Sequence, residues 1–381
     1  MHWTAYAGGQ DFWSVTRHAD ILELNLQFKR LSSARGIRME DQTEEEYRAR
    51  RTFQETDPPE HSKTRKKVQR AFSRGAVALF EEQIRDICTQ ILDRALEERE
   101  FDATRLIARE LPMRMLGTII GTPEEDLPWL VEKGDALMAN TAPDFTDFVA
   151  DQMDTDAYRK MPYNSPAGAE LYDYAKDLMA KKAAAGDTDG VLHMILEPDR
   201  DGSVMPEREF QNFFCLLVAA GNATTRYSIA AGIQALCGQP ELLEQLRNAA
   251  ICDTAPDEII RWASPASYFR RTATEDFTYH GKHIREGDKV LLWFVSGNRD
   301  DAAFADPFRV NLKRDPNPHV SFGQGGPHMC LGMWLARLEV RVLFQEIAKR
   351  VRSVEQTGTH AYVRSNFMGG IKRLPVRMTP A

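Results

Sequence analysis

The sequence lacks several features that would define whole classes of protein. No apolar run reaches the ~20 residues that span a bilayer, and the richest run, at 213–220, ends at Gly221 and Asn222. The five cysteines are odd in number and form no CxxC pair, which is typical of a reducing compartment rather than of a disulfide framework. The net charge of −7, with both signs interspersed, argues against a general nucleic-acid binder. We therefore expect a cytoplasmic protein with no membrane and no nucleic-acid partner.

The sequence does have enough apolar material for a large core, and its patterning is mostly helical. Of its 381 residues, 43% are hydrophobic, and neither internal repeats nor low-complexity linkers divide the chain. Helical patterns occur in five segments, at residues 61–72, 77–100, 206–237, 256–262 and 331–351. Two segments have the composition of short strands, at residues 12–17 and 289–295. We predict a mainly α fold with a small β part, formed by residues 1–381 as a single domain.

The most informative segment is the glycine-rich stretch 322–332, FGQGGPHMCLG. Glycine lets the backbone turn sharply and lets a flat ligand approach closely. A helix is predicted to begin at Cys330, and its free amides and dipole should lower the pKa of the thiol. Thiolate is the form of cysteine that binds haem iron. The stretch lacks both the GK[ST] ending of a phosphate loop and the spacing of a dinucleotide-binding turn, so we favour a metal ligand at Cys330.

A cluster of small and hydroxyl residues interrupts the long apolar pattern at 219–225, AAGNATT. A glycine in a helix costs roughly 1 kcal/mol relative to alanine, and threonine hydroxyls that bond back to the preceding turn bend a helix. Such a cluster is commonly a notch where helices pack. It can also form a groove in which a small ligand such as O2 lies against the backbone.

Two further motifs are weak when taken alone. Glu258 and Arg261 are three residues apart and share a helix face, but the same spacing occurs elsewhere in the chain and usually marks a surface ion pair. The segment 57–65, DPPEHSKTR, places His61 and Arg65 on one helix face. There they could hold a pair of carboxylates, or simply belong to a solvated basic helix.

In their order and approximate separations, these segments resemble the cytochrome P-450 family of haem-thiolate proteins, and in particular its soluble bacterial branch. The likeness extends over residues 13–377 and includes NRD at 298–300 and DPNPHVSFG at 315–323. The resemblance implies a haem b cofactor, iron protoporphyrin IX. The cofactor would lie between the long central helix and the helix that follows the cysteine loop.

The resemblance also implies a role for each candidate site residue. Cys330 would be the iron ligand. The loop residues that would contact the cofactor beside it are Phe322, Gly325 and Gly332. The residues that would bind the haem propionates are His61, Arg65, Arg271 and His328. The oxygen-binding groove would consist of Ala220, Gly221 and Thr224, with Thr224 in the proton-delivery position. Glu258 and Arg261 would be structural and would tie the protein core near the cysteine to the segment at Asn298.

Three departures from the family pattern bear on this assignment. The position before Thr224 normally carries an acidic residue and is Ala223 here, which puts the usual proton relay in doubt. The loop has one residue more between Phe322 and Cys330 than the commonest spacing, as in bacterial members that oxidise sterols, lipids and terpenoids. Family members also carry a longer segment before the first strand, so we expect a shortened N-terminus.

The implied activity is insertion of one oxygen atom of O2 into an apolar small molecule of terpenoid, lipid or steroid type. Electrons would come from NAD(P)H through a ferredoxin reductase and a ferredoxin, which would dock on the basic residues Lys66, Lys67, Arg70 and Arg74. The substrate-pocket positions that the family suggests are 145–148, Leu217, Ala220, 266–269, Phe367 and Met368.

Three alternative functions stay open. A nitric oxide reductase of the same fold has a similar AGNAT segment and takes electrons directly from reduced nicotinamide. A peroxide-driven peroxygenase would not need the missing acid. A non-catalytic haem-binding sensor or carrier is the third alternative, and the presence of Thr224 argues against it.

Overall fold

The computed structural model describes residues 1–150, 152–187, 190–199 and 201–381. Its α-helices are α1 (His18–Leu26), α2 (Glu44–Arg50), α3 (Glu60–Val68), α4 (Arg74–Ala78), α5 (Glu81–Glu98), α6 (Glu110–Ile120), α7 (Leu127–Met138), α8 (Pro166–Ala184), α9 (Val191–Leu196), α10 (Glu207–Gly238), α11 (Glu241–Gln245), α12 (Ala249–Ala263), α13 (Phe294–Gly297) and α14 (Met333–Arg350). Its strands are β1 (His2–Thr4), β2 (Phe12–Val15), β3 (Leu31–Ser32), β4 (Glu100–Asp102), β5 (Phe269–Ala273), β6 (Phe277–Tyr279), β7 (Lys282–Ile284), β8 (Lys289–Leu292), β9 (Val351–Gln356), β10 (Ala361–Tyr362), β11 (Ile371–Arg373) and β12 (Pro375–Pro380). Helix outweighs strand, which confirms the predicted mainly α fold.

The long helix α10 passes through the centre of the molecule. Most of its side chains between Phe210 and Leu236 are buried, as expected for a helix that is apolar around most of its surface. One core cluster packs its C-terminal half against α5, α12 and α14, and a second packs its N-terminal half against α7 and α8. A Cβ atom at Gly232 would collide with the Phe344 ring of α14, so this glycine allows the two helices to approach closely.

The strands form small sheets beside the helical core. The largest sheet has the order β1-β2-β8-β5-β3, in which only the β2–β8 pair is parallel. A three-stranded sheet has the order β4-β12-β9, and the pairs β6-β7 and β10-β11 form two hairpin-like ribbons. In the large sheet, β5 carries Arg271 toward the cavity described below.

Several element boundaries differ from those that the pattern predicts. The helix expected at 77–100 is broken into α4 and α5, although no glycine or proline marks the break. The helix expected at 256–262 begins earlier, because the Asn248 side chain caps it by accepting a hydrogen bond from the Ala250 amide. The strand expected at 289–295 ends at Leu292, because the chain turns into α13 at Phe294.

A buried polar network confirms the structural position expected for Glu258 and Arg261. The two side chains, both fully buried, form a paired hydrogen-bonded contact of 2.7 and 2.8 Å in α12. Arg261 Nη1 also donates to the Asn298 carbonyl oxygen at 2.6 Å. Among the described residues, the helices include none with both the length and the apolar character that crossing a membrane requires.

Candidate functional site

A cavity of about 880 Å³ lies between α10 and the loop that precedes α14. This volume is near the upper end of the range for small-molecule and cofactor pockets. The cavity wall contains most of the candidate site residues, namely His61, Arg65, Ala220, Gly221, Thr224, Arg271, Phe322, His328, Cys330 and Gly332. Residues from four separate parts of the chain therefore meet at one site.

Two candidate residues, Gly325 and Ala223, do not line the cavity. Gly325 has φ +92°, and a Cβ atom there would lie 3.4 Å from Leu26 of α1. The expectation that Gly325 contacts the cofactor is therefore corrected, because this glycine allows the loop to turn against α1. Ala223 is buried in the core cluster that α10 forms with α7.

Cys330 is held at the cavity by its own backbone. Its amide donates to the Phe322 carbonyl oxygen at 2.8 Å, which closes the loop, and its side chain lines the cavity. The helix begins at Met333 and not at Cys330, so the predicted helix start is wrong.

The expected lowering of the thiol pKa is also wrong. Burial raises the pKa of the Cys330 thiol, and this effect outweighs the opposing influence of the Gly332 amide, Arg65 and Arg337. The helix end therefore does not provide the thiolate. A metal ion bound directly to the sulfur would provide it, since a coordinating thiol loses its proton.

Two histidines beside the cysteine loop have unmet hydrogen-bonding capacity. The ring centroids of His61 and His328 are 4.2 Å apart. Both nitrogens of each ring are buried and have no hydrogen-bond partner among the described residues. Burial, together with nearby cations, lowers the pKa of His61 to about 4 and that of His328 to about 2. Buried polar groups are normally paired, so these rings suit a partner from outside the described residues.

Two arginines complete this basic cluster. Burial lowers the pKa of Arg65, and it lowers that of Arg271 to about 10. Arg271 donates to the Asn25 side-chain oxygen at 3.2 Å, and Asp57 is the acidic residue that opposes its pKa shift. A buried group of mutually repelling cations favours a bound anion. The cluster therefore fits the two carboxylates of a haem, at one side of a cavity that also contains a thiol.

The opposite wall is formed by the small and hydroxyl residues of α10. Thr224 Oγ1 donates to the Ala220 carbonyl oxygen at 3.0 Å, and Ser228 Oγ donates to the Thr224 carbonyl oxygen at the same distance. Thr225 and Ser228 also line the cavity. Ser228 was not among the candidates, although its spacing of four from Thr224 puts both residues on one helix face.

A buried ion pair on another face of α10 was missed at the sequence level. Arg226 Nη1 lies 2.7 Å from Asp135 Oδ1 of α7, and both side chains are almost fully buried. Asn222 Nδ2 lies 3.5 Å from the same carboxylate, and Asn222 Oδ1 is buried without a hydrogen-bond partner among the described residues. A carboxylate from α7 therefore lies against the turn of α10 that contains Ala223.

The rest of the cavity wall is partly apolar and partly polar. Of the suggested pocket positions, the cavity wall contains Leu217, Ala220, Ala266, Phe269, Phe367 and Met368, whereas residues 145–148 lie outside it. The wall also contains Glu339 of α14, and burial raises the pKa of this carboxyl group to about 8. A further polar region around Arg38 and Arg50 carries no sequence motif and was not predicted.

The fold and the site define a class of protein: a mainly helical chain in which one large cavity joins a cysteine loop to a central helix and carries a basic cluster for an acidic cofactor. Comparison with known proteins gives the family. The family model for cytochrome P450 matches residues 1–359. The chain belongs to the cytochrome P450 family, whose cofactor is haem, and it is an oxidoreductase of the monooxygenase type.

The relatives are bacterial. A methyl-branched lipid omega-hydroxylase from Mycobacterium tuberculosis is 34% identical over 377 residues, which are 97% of this chain and 85% of the relative. A steroid C26-monooxygenase from Mycolicibacterium smegmatis is 31% identical over 394 residues, which cover 100% of this chain and 88% of the relative. A Mycobacterium marinum cytochrome P450 in complex with pseudoionone matches the fold with a TM-score of 0.89 at 33% identity, covering 98% of this chain and 88% of that chain.

Proposed function

We propose that the chain is a haem-thiolate monooxygenase in which Cys330 is the iron ligand and the substrate is an apolar molecule of lipid, steroid or terpenoid type. The single observation that carries this proposal is the cavity itself, because its wall contains Cys330 on one side and Ala220, Gly221 and Thr224 on the other. One atom of O2 enters a C–H bond of the substrate. The other atom leaves as water, which requires two electrons and two protons.

The chain's own residues bind and orient the reactants. When bound, the haem iron supplies O2 binding and O–O cleavage, which a thiolate ligand promotes. His61, Arg65, Arg271 and His328 hold the propionates. Thr224 holds a proton at Oγ1, beside the carbonyl of Ala220 to which it is bonded.

Replacing Cys330 by serine tests the proposed ligand directly. We expect Cys330→Ser to lose the strongly red-shifted band of the reduced carbonyl complex, because only a thiolate ligand produces it. Cys237→Ala is the matched control, since Cys237 lies in α10 outside the cavity wall. A variant that lacks the Cys330 sulfur and keeps the band would contradict the assignment.

The substrate class is supported by two observations. The cavity wall contains the apolar residues Leu217, Phe269 and Phe367, and the relatives act, by their names, on methyl-branched lipids and steroids. We further propose that electrons pass from NAD(P)H through a ferredoxin reductase and a ferredoxin, and that residues 1–381 form one haem domain. A cytoplasmic location stays a prediction, and the free state of the cysteines agrees with it.

Reductant consumption separates this function from the alternatives. A monooxygenase consumes reductant only when both O2 and a substrate are present, and it forms hydroxylated product. Rapid turnover with nitric oxide and reduced nicotinamide alone would replace the proposal with a reductase. Product formation with hydrogen peroxide but not with O2 would indicate a peroxygenase, and no turnover under any of these conditions would indicate a carrier or sensor.

A further inference from the structure

Arg38 lies in the segment between β3 and α2 and lines the cavity, outside the basic cluster assigned to haem. Its guanidinium carbon is 4.3 Å from the ring centroid of Tyr163 and 4.6 Å from that of Phe367. Both aromatic residues also line the cavity. Aromatic faces attract a guanidinium and stack against its plane, so the two rings hold this side chain in a fixed position.

The guanidinium of Arg38 has no ion-pair partner among the described residues. Its Nη2 atom is buried without a hydrogen-bond partner, and none of the described carboxylates forms an ion pair with it. Asn164 Oδ1, also in the cavity wall, is buried without a partner as well. A buried charge or polar group that is left unpaired is costly, so this region favours a partner from outside the described residues.

The neighbouring groups are engaged with one another. Arg50 donates to the Gln42 side-chain oxygen at 3.2 and 3.1 Å and to the Arg159 carbonyl. Burial raises the pKa of Glu55, and the pull of Arg50 and Arg38 only partly offsets this. Glu40 accepts a hydrogen bond from Asn366 at 2.8 Å. These acidic residues therefore compensate Arg38 incompletely, and this part of the cavity favours an additional anion.

We propose that Arg38 binds the carboxylate of the substrate, which is accordingly a monocarboxylic acid with an extended or polycyclic apolar body. This inference rests on the proposed function and specifies its substrate class. The clamped guanidinium can present two parallel donors to the carboxylate. The apolar body then follows Leu217, Ala266 and Met368 along the wall of the same cavity.

The test is a pair of binding titrations of the haem-loaded enzyme with hexadecanoic acid and its methyl ester, scored by displacement of the iron-bound water. A hydrogen bond to a charged group contributes enough for about a tenfold to hundredfold change in affinity. We expect the acid to bind to the wild type more tightly than the ester by this factor, and the difference to disappear in Arg38→Gln. Arg38→Lys, which keeps the charge but loses the planar fork, should fall between them.

Ester affinity and the carbonyl spectrum serve as controls for folding, because both should be unchanged in Arg38→Gln if only the carboxylate contact is lost. Arg309→Gln, on the exposed surface, should leave both affinities unchanged. If the ester binds as well as the acid to the wild type, the role of Arg38 is wrong while the lipid class stands. If acid, ester and steroid probes all fail to displace the water, the proposed substrate class is itself wrong.

Discussion

Ala223 stands next to Thr224, where the family pattern has an acidic side chain, and a methyl group cannot carry a proton. The carboxylate on this part of α10 comes instead from Asp135 of α7, which pairs with Arg226 and lies 3.5 Å from Asn222 Nδ2. An acidic group therefore contacts α10 at Asn222, two residues before Thr224, although a different helix supplies it.

We expect Asp135→Asn to slow O2-driven turnover at least about tenfold, within the range of acid–base contributions, and to affect peroxide-driven turnover much less. Peroxide already carries the two protons that cleavage of O2 must acquire. Ala223→Asp should raise the O2-driven rate, and the gain should be larger in the Asp135→Asn background. The measurement is the ratio of the two rates, together with the solvent isotope effect on each.

Tyr227→Phe is the matched control for this network. The Tyr227 hydroxyl accepts a hydrogen bond from Arg226 at 3.1 Å, so its removal disturbs the same ion pair without removing the carboxylate. The rate ratio should stay at the wild-type value. A ratio that is the same in Asp135→Asn and wild type would show that Asp135 has no part in proton delivery.

Short sequence motifs mark several of the residues that line the cavity. Cys330, His61 and Thr224 each lie within a short recognisable segment, and the structure brings all three to one cavity. Asp135 and Arg38 carry no such motif. Gly134 lets α7 pack closely on α10 beside Asp135, because a Cβ atom at this position would lie only 3.1 Å from the Val218 side chain. A crossing of two helices of this kind leaves no local pattern in the sequence.

At the level of elements, strong helical periodicity predicted the long helices correctly. The residues at which helices begin and end were predicted less well, because the local sequence marks them weakly. The central helix α10 begins beside Pro206 and ends at Gly238, close to the predicted bounds. The predicted start of α14 at Cys330 was wrong, because the chain stays non-helical from Cys330 to Gly332 and the helix begins at Met333. Tertiary contacts of the loop, not helix propensity, decide where that helix begins.

Some basic side chains of helix α3 contact other parts of the protein, and others are exposed to solvent. Lys67 is largely buried, lies 3.3 Å from Asp199 and donates to the Glu197 carbonyl oxygen at 2.8 Å. The expectation that Lys67 belongs to an open docking surface is therefore corrected. Lys66 in α3 and Arg70 just after this helix are exposed, and they remain the residues here that suit docking of an acidic electron donor.

We expect the double variant Lys66→Glu/Arg70→Glu to slow reduction by an acidic ferredoxin about tenfold at low salt and to flatten the salt dependence, since charge complementarity mainly raises association rates. Stopped-flow reduction at several ionic strengths measures both effects. The charge-matched control is Lys282→Glu/Arg285→Glu, at exposed positions in and after β7. Equal reduction rates for the two double variants at low salt would remove α3 from the docking surface.

Over the whole molecule, the family pattern predicted the fold and named most of the residues that meet around the cysteine loop, but not the polar region around Arg38. The residues around the cysteine loop belong to short motifs, whereas the polar region combines the segment before α2 with Tyr163 and Phe367. Residues so far apart in the chain meet only after the helices have packed. The contacts of Arg38 with Tyr163 and Phe367 depend on tertiary structure. Composition and periodicity therefore cannot predict them.

A buried network connects α12 to the cysteine loop across this fold. Glu258 accepts hydrogen bonds from Arg261, Arg314 and Asn317 at 2.7–3.1 Å. Arg261 donates to the Asn298 carbonyl oxygen, and Asn298 in turn bonds the Val320 amide and the Ser321 hydroxyl. Ser321 directly precedes Phe322, whose carbonyl holds the amide of the cysteine. The network therefore positions the loop as well as stabilising the core.

We expect Arg261→Lys to lower the free energy of unfolding by about 3 kcal/mol, because a damaged buried pair leaves a carboxylate without full compensation, and to reduce haem retention. The control is Arg309→Lys, which alters an exposed pair with Glu241 and should cost no more than about 1 kcal/mol. Denaturant titration gives the free energies, and the haem content of purified protein gives the retention. If the two variants unfold at the same denaturant concentration and retain equal haem, the network does not hold the loop. A loss of stability with full haem retention would limit its role to the core.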